Sequence, residues 1–355
     1  MLGPIDTKVY RAVEAAVAEL FDLGEAGKFE RETGLQFGPF PIHLRSQTEE
    51  IHVAITSQFG LVLCEADPSP SLSVSILERP DLLAHLQNAW FAENTPAPST
   101  STSFRQNEMR IHAVFDDLGL AILFALNVKS SRAFYAVAST SRLKAIEGAY
   151  PLLLLLRMWS ETTSFLWAHG AAVATDRAAV LLTGIGGAGK SSTALAVTGE
   201  KLRLIGDDHV LISPELQAYS IYCTVRLRQD MFEHFRKIES WFGDDWFAWQ
   251  DKPSQILPSE KHRHFISQAP LKAIVLLRHD TSDPLTFREV PQSAGFRAIT
   301  PVTVTRHYTD PMAIFEKVSR IVSKLPVYEF RTSRDLLSMR APFERFVESL
   351  GSSHV

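Results

Sequence analysis

Cysteine is almost missing from this chain. Cys64 and Cys223 are the only two in 355 residues, so neither a disulfide framework nor a four-cysteine zinc site can be built from it. The expected setting is therefore reducing, the cytoplasm. A long apolar run is missing too. The most hydrophobic stretch, Leu152 to Leu156, is broken by Arg157 and Glu161, far short of the roughly 20 residues that span a bilayer. It reads as part of a buried helix, and no membrane partner is expected. The N-terminus has acidic residues from Asp6 onward and no basic start followed by an apolar core. It reads as an amphipathic helix and not as a signal peptide. Positive charge is not in excess either: 36 basic residues stand against 40 acidic ones, a net charge of -4. That excludes a protein built mainly to neutralise nucleic-acid phosphates, so no nucleic-acid partner is expected. No repeat at a solenoid period is visible.

What is present is the composition of an ordinary globular protein, 45% hydrophobic and 21% charged. At roughly 100 to 200 residues per domain the length suggests two domains. Residues 1–145 read as a sheet-rich N-terminal domain, a candidate for substrate recognition. Its short runs IHVAIT, FGLVLCEA, SLSVSIL, MRIHAVF, LAILFAL and AFYAVAS have strand character and are bounded in several places by Gly, Pro, Ser or Asp. Asn94 to Ser103, rich in Pro, Ser and Thr, reads as an exposed loop. A second domain, 146–355, opens with a long helix from Pro151 through Trp167 and continues in an α/β order with some antiparallel pairing. Trp159, Phe165 and Trp167 read as core residues of that helix. KAIVLLRH, LTFREV and PVYEFRT read as strands, and helices are expected around Asp310 to Ser323 and from about Ala341. The stretch from Glu239 to Phe265, with Trp241, Trp246 and Trp249, gives no clear pattern. The fold class is α/β with a mixed sheet.

The strongest chemical signal is Gly184-Ile185-Gly186-Gly187-Ala188-Gly189-Lys190-Ser191, a full match to GxxxxGK[ST], the Walker A or P-loop pattern. A short apolar strand precedes it and a helical segment beginning SSTALAV follows, so backbone N–H groups at a helix N-terminus are available to phosphate. Gly184, Gly186, Gly187, Ala188, Gly189, Lys190, Ser191 and Ser192 are the candidate nucleotide-binding residues. Lys190 would reach the β and γ phosphates, and the Ser191 hydroxyl would hold Mg2+, a cation that prefers oxygen ligands. A glycine-rich turn that binds nothing is the alternative. Asp207 and Asp208 follow at the end of the apolar segment Leu204 to Gly206. Carboxyl ends of strands face the ligand crevice in open α/β sheets. One carboxylate there can serve the cation while its neighbour takes a proton from an attacking hydroxyl; the alternative is a plain strand-capping turn. His169, upstream of the loop, is more often a structural residue than a catalytic one on spacing alone.

His169-Gly170, GIGGAGKSSTAL and LRLIGDDHV, taken in order, resemble the catalytic domain of the HPr kinase/phosphorylase family. There a His-Gly pair, a loop of the form GxSGxGKSETAL and a HRLIADDRV-like segment follow one another. His169 lies 21 residues before Lys190 and Asp207 lies 17 after it, as in the family. The resemblance covers about 165 to 215, and KLPVYEFRTSRDL looks like the family's tail. ATP-dependent phosphoenolpyruvate carboxykinases share part of the pattern. The resemblance implies a P-loop domain of the HPr kinase/carboxykinase type with ATP and Mg2+ as cofactors. It also implies that Asp207 is the general base toward a serine hydroxyl, with Asp208 beside the metal. Lys190 and Ser191 then serve phosphate and magnesium, and His169 lies on the phosphate side. By analogy with hexameric HPr kinases, a homo-oligomer is implied.

The sequence departs from the family in two places. The acidic-Arg-Gly signature that supplies a metal-ligating Glu is not found after Asp208, where TVRLRQDMF stands, and Ser192 replaces a Glu. These departures resemble the stand-alone kinases of ribosomally made peptide (RiPP) clusters. The lasso-peptide kinases, which phosphorylate the C-terminal serine of a precursor, are the most similar. The expected function is thus an ATP-dependent serine/peptide kinase. Two alternatives are a small-molecule kinase or carboxykinase-like phosphotransferase, and a non-catalytic nucleotide sensor. Arg226 and Arg228 could balance phosphate charge or grip an acidic tail, but read more simply as solvated.

Overall fold

Val9, Val13, Ala16, Val17 and Leu20 recur at helical spacing and are buried, which gives α1 (Thr7–Ala26) one apolar face. The computed structural model describes residues 7–91, 101–238, 247–249, 252–256, 263–279, 285–305, 310–333 and 335–352. The chain divides into two units, Met1–Ser57 with Leu63–Trp159, and Gln58–Val62 with Ser160–Val355.

In the first unit α1 is followed by β1 (Arg31–Phe37), β2 (Phe40–Ser46), α2 (Glu49–Thr56), β3 (Leu63–Cys64), β4 (Leu72–Glu78) and α3 (Pro80–Phe91). Then come β5 (Ser101–Gln106), β6 (Met109–Asp116), β7 (Gly119–Asn127), β8 (Arg132–Val137), α4 (Thr140–Glu147) and α5 (Leu153–Ser160). The strands form one eight-stranded sheet in the order β3-β1-β2-β4-β8-β7-β6-β5. Only the β2–β4 and β4–β8 neighbours are parallel. IHVAIT is not a strand but the helix α2. Its β-branched residues are outweighed by an N-cap, Thr48, whose side chain accepts from the Ile51 N–H, and by Glu49 and Glu50 in the first turn. FGLVLCEA yields only a 3-10 turn, Gly60–Val62, and the two-residue β3. Of the expected loop, 94–100 lies outside the described residues, while Ser101 to Ser103 pair with β6.

The unit ends at Trp159, later than residue 145, because α4 packs on β7 and β8 and the Arg110 guanidinium donates to the Met158 carbonyl (2.9 Å). The expected long helix also stops at Ser160. There Thr163 accepts from the Phe165 N–H, a local bond that competes with helix continuation. Trp167 is a core residue, but on a strand.

The second unit contains β9 (Leu166–Ala168), β10 (Ala171–Ala174), β11 (Ala179–Thr183), α6 (Lys190–Val197), β12 (Arg203–Gly206), β13 (Val210–Ile212) and β14 (Gln217–Tyr219). It continues with β15 (Thr224–Arg226), α7 (Gln229–Ile238), β16 (Phe247–Trp249), β17 (Lys252–Ile256), β18 (Gln268–His279) and β19 (Phe287–Val290). The last elements are α8 (Gln292–Val304), α9 (Pro311–Val322), β20 (Val327–Thr332) and α10 (Arg340–Ser352). A nine-stranded mixed sheet runs β12-β10-β11-β18-β14-β13-β9, with β20 beside β18 and β19 beside β20. β11, β18 and β20 are parallel neighbours. Val180, Leu182, Val275 and Leu277 pack on one side with Leu195 and Phe343, from α6 and α10. Leu181, Ile274 and Leu276 pack on the other with Ile299 and Ile314, from α8 and α9. The segment Gln58–Val62 is part of this unit: Phe59 is buried against Tyr222 with ring centroids 5.0 Å apart, and the Cys223 N–H donates to the Gln58 carbonyl (2.7 Å). Of the stretch from Glu239 to Phe265, β16 and β17 join β15 in a small antiparallel sheet, while Trp241 and Trp246 lie outside the described residues. Among the described residues no helix is long and apolar enough to cross a membrane.

Candidate active site

Two chain corners face each other across the nine-stranded sheet. β9 pairs with β13 at Ala168 and Val210, and β10 pairs with β12 at Ala172 and Gly206. Both partners turn between those two ladders, so the residues between Ala168 and Ala172 must lie opposite those between Gly206 and Val210. This brings His169 to Asp208 across 39 residues of sequence: the His169 ring Nδ1 lies 3.0 Å from the Asp208 carbonyl oxygen. A carbonyl can only accept, so Nδ1 carries the proton and the ring orientation is fixed by the backbone. The Gly170 N–H donates to the same carbonyl (3.3 Å), and the His169 N–H donates to Thr303 Oγ1 (3.3 Å). A Cβ at Gly170 would stand 2.8 Å from the Leu182 carbonyl oxygen, so the close approach of this corner to β11 requires glycine.

β11 lies on the far side of β10, with Leu182 opposite Ala171, so the chain leaves it at the same sheet edge. The glycine-rich loop follows. Gly184, Gly187 and Gly189 have φ of 150°, 81° and 89°, values that L side chains rarely adopt. A Cβ at Gly186 or Gly187 would meet nothing within 4 Å, so the loop wraps open space. The loop carries no anion-repelling side chain: Ile185 projects into solvent, and Ala188 is half-buried. The Lys190 side chain is buried and its Nζ donates to the Gly184 and Ile185 carbonyls (3.1 and 3.3 Å). Ser191 and Ser192, both half-buried, occupy the first turn of α6. At the other end of α6 the Arg340 Nε donates to the Ala196 carbonyl (3.1 Å).

Asp207 completes the cluster. It is buried, and its Oδ2 accepts the Arg226 N–H (3.1 Å). Its Oδ1 is buried with no hydrogen-bond partner. Burial, then the neighbouring Asp208, pushes the Asp207 carboxyl up to about 7, against the opposing pull of Arg226 and Ser191. Asp208 has φ of 64°, a left-handed conformation that Asp tolerates better than most residues. Its Oδ2 lies 3.9 Å from the Arg226 Nη1, with both side chains largely buried.

The sequence-predicted residues therefore meet at one sheet edge, but their contacts differ from the expected ones. Asp208, expected beside Ser191 at the metal, lies against Arg226. Arg226 is not solvated. Its position on β15, paired with Ser254 of β17, turns it inward, while Arg228 pairs on the surface with Asp230 (3.1 Å). The sequence carries no signal separating the two arginines. His209, buried and contacted by the Trp167 indole N–H (3.4 Å), and Thr303 also went unmarked. Among the described residues no three His, Cys, Asp or Glu side chains converge as a metal cage. The donor set is a hydroxyl and two carboxylates, one with an unsatisfied buried oxygen. Mg2+ bound through one or two carboxylates plus phosphate oxygens and waters fits such a set.

No family model matches the chain, and no curated protein matches it in sequence. Among solved structures, that of the Hpr(Ser) kinase/phosphatase from Coxiella burnetii is similar with a TM-score of 0.30 and 12% identity, covering 52% of this chain and 94% of that one. The likeness is distant, and the residues at the sheet edge carry the chemistry.

Proposed function

We propose that the protein is an ATP-dependent kinase of the HPr kinase-like P-loop type, acting in the cytoplasm with Mg2+. It transfers the γ-phosphoryl group to a serine-type hydroxyl of a peptide. The C-terminal serine of a lasso-peptide precursor is the first acceptor to consider, and a homo-oligomer is expected by analogy. The observation that supports this reading best is the buried Asp207 carboxylate, whose Oδ1 has no hydrogen-bond partner, at the same end of the sheet as the glycine-rich loop. A site that only gripped phosphate would gain nothing from a buried acid, whose desolvation is costly.

The chain's own residues suffice to describe the step. Backbone N–H groups of Gly186 to Ser191 and the α6 N-terminus hold the phosphates, and Lys190 exchanges its two loop carbonyls for phosphate oxygens. When bound, Mg2+ neutralises charge on the β and γ phosphates. The substrate hydroxyl oxygen bonds to the γ phosphorus as the bond to the β–γ bridging oxygen breaks. ADP leaves with the bridging electron pair, and the hydroxyl proton passes to a carboxylate. Asp207 and Asp208 together supply one cation ligand and one proton acceptor. Arg226 offsets charge beside them, and the His169 ring is held by the Asp208 carbonyl.

Mass spectrometry of peptides ending in serine, incubated with ATP and Mg2+, tests the proposal. Wild type should add one phosphate, and Asp207→Asn and Lys190→Ala should add none. ATP consumed only with a metabolite mixture would replace the peptide by a small-molecule acceptor. ATP bound without turnover would leave a sensor.

A further inference from the structure

We infer that the segment Gln58–Val62 is a built-in support of the candidate active site, with Phe59, Tyr222 and His209 acting as positioning residues for the turn that carries Asp207 and Asp208. The effect on reaction rate rests on the kinase reading; the effect on the turn does not.

The turn is held in an unfavourable backbone conformation. The His209 N–H donates to the Asp207 carbonyl (2.8 Å), closing a γ-turn around Asp208, whose φ is 64°. A γ-turn with a left-handed central residue is rare and strained, and such backbone persists only where its surroundings over-determine it. On one side the Asp208 carbonyl is fixed by the Gly170 N–H and the His169 ring. On the other side stands His209, packed among aromatic rings. The Trp167 indole N–H donates to His209 Nδ1 (3.4 Å), and the Tyr222 and His169 rings lie 6.0 and 6.1 Å from the His209 ring. Tyr222 is backed in turn by Phe59, stacked at 5.0 Å with 29° between the ring planes. Phe59, Trp167, His209 and Tyr222 are each no more than 2% exposed. An interior packed this closely passes the displacement of one ring to the next.

The segment also reaches the site along the backbone. The Gln58 carbonyl accepts the Cys223 N–H (2.7 Å), and the Cys223 Sγ accepts the Leu61 N–H (3.4 Å). Cys223 leads into β15, whose Arg226 donates its N–H to Asp207 Oδ2 (3.1 Å) and sets its Nη1 3.9 Å from Asp208 Oδ2. Rings and backbone thus run from one short segment to both aspartates. The chain leaves the first unit after Ser57 and re-enters it at Leu63. A plain connection between α2 and β3 would lie solvated on the surface, whereas this one buries a phenyl ring completely and satisfies the Cys223 N–H.

The test compares Phe59→Leu with Phe330→Leu in the full chain. Both remove a fully buried ring from the second unit, and Phe330 packs against Phe287 and Phe343. Melting temperature, amide hydrogen exchange, and phosphoryl transfer from ATP to a serine-ending peptide with Mg2+ are measured for each. Both variants should lose comparable stability. Only Phe59→Leu should speed exchange of the His209 and Arg226 amides, by about 10-fold or more beyond any change in β11 and β18. Only it should lower kcat, by about 10- to 100-fold, the scale of a misplacement near 1 Å, with the KM for ATP within about 2-fold of wild type. Phe59→Met, whose unbranched side chain adapts to the gap, serves if Phe59→Leu fails to fold. Unchanged exchange at His209 and Arg226, faster exchange with an unchanged kcat, or the same losses in Phe330→Leu would overturn the inference. No transfer by wild type to any such peptide would remove the kinase reading, and the exchange comparison would then decide the inference by itself.

Discussion

Replacing Asp207 with Asn should stabilise the metal-free protein while abolishing its activity. The Asp207 carboxyl ionises near 7 in the folded chain against an ordinary value of 3.8, with burial as the main cause and Asp208 the next. Below about pH 4 both folded and unfolded chains hold the proton, and the residue costs nothing. Between about pH 4 and pH 7 the unfolded chain has released it while the folded chain retains it, so stability falls as pH rises; above about pH 7 the loss is constant. About 3 pH units at 1.36 kcal/mol each give a full loss of roughly 4 kcal/mol. Asn is nearly isosteric, can still accept the Arg226 N–H, and does not titrate. In EDTA, the melting temperature of Asp207→Asn should match wild type near pH 4. It should then rise above wild type through about pH 7, with a plateau gap on the order of 10 °C for a unit of this size. Scanning calorimetry from about pH 4 to pH 8 measures this. A gap that does not change with pH, or an Asn variant less stable than wild type at pH 8, would refute the reasoning. Adding ATP and Mg2+ should narrow the gap, because wild type gains more binding energy than the variant.

Other expectations follow from the loop and the cores. Gly187→Ala should cost about 1–2 kcal/mol in thermal stability, because φ is 81° there, whereas Gly186→Ala, also facing open space but without a left-handed backbone, should be near neutral. Phe59→Ala removes a fully buried ring stacked on Tyr222 and should lower denaturant stability by about 3–5 kcal/mol. In the first unit, burial pushes the Glu147 carboxyl up to about 7 although the Leu152 N–H donates to it. Glu147→Gln should therefore flatten a loss of stability that wild type shows as pH rises from about 4.5 to 7, read by melts across that range.

The parts of the site written in consecutive residues could be read from the sequence. Glycines at 184, 187 and 189 are demanded by backbone geometry, and Lys190-Ser191 opens the helix that the loop feeds, so the loop declares itself locally. The Asp207-Asp208 pair does so too, at the end of a short apolar strand. Their partnership is non-local. The approach of Asp208 to Arg226 joins residues far apart in sequence, and no propensity at either position announces it. Arg226 sits two residues before Arg228 and differs from it in lying on β15, which pairs with β17. The fold misreadings share a cause. The β-branched residues in IHVAIT suggest a strand where the Thr48 and Glu49-Glu50 helix start prevails, and the apolar run after Pro151 masks the Thr162-Thr163-Ser164 break. In both, the capping and turn residues were the better guide.

The most direct test of the central claim, that the Gly184–Ser191 loop and Asp207 form a magnesium-nucleotide site, is calorimetric titration of ATP into wild type and Lys190→Ala, with Mg2+ and with EDTA. Wild type should bind one ATP per chain, more tightly with Mg2+. Lys190→Ala should remain folded and lose affinity by about 10-fold or more, the scale of a charge-assisted contact worth 1.5–3 kcal/mol. Equal ATP affinity in wild type and Lys190→Ala, unaffected by Mg2+, would contradict the account.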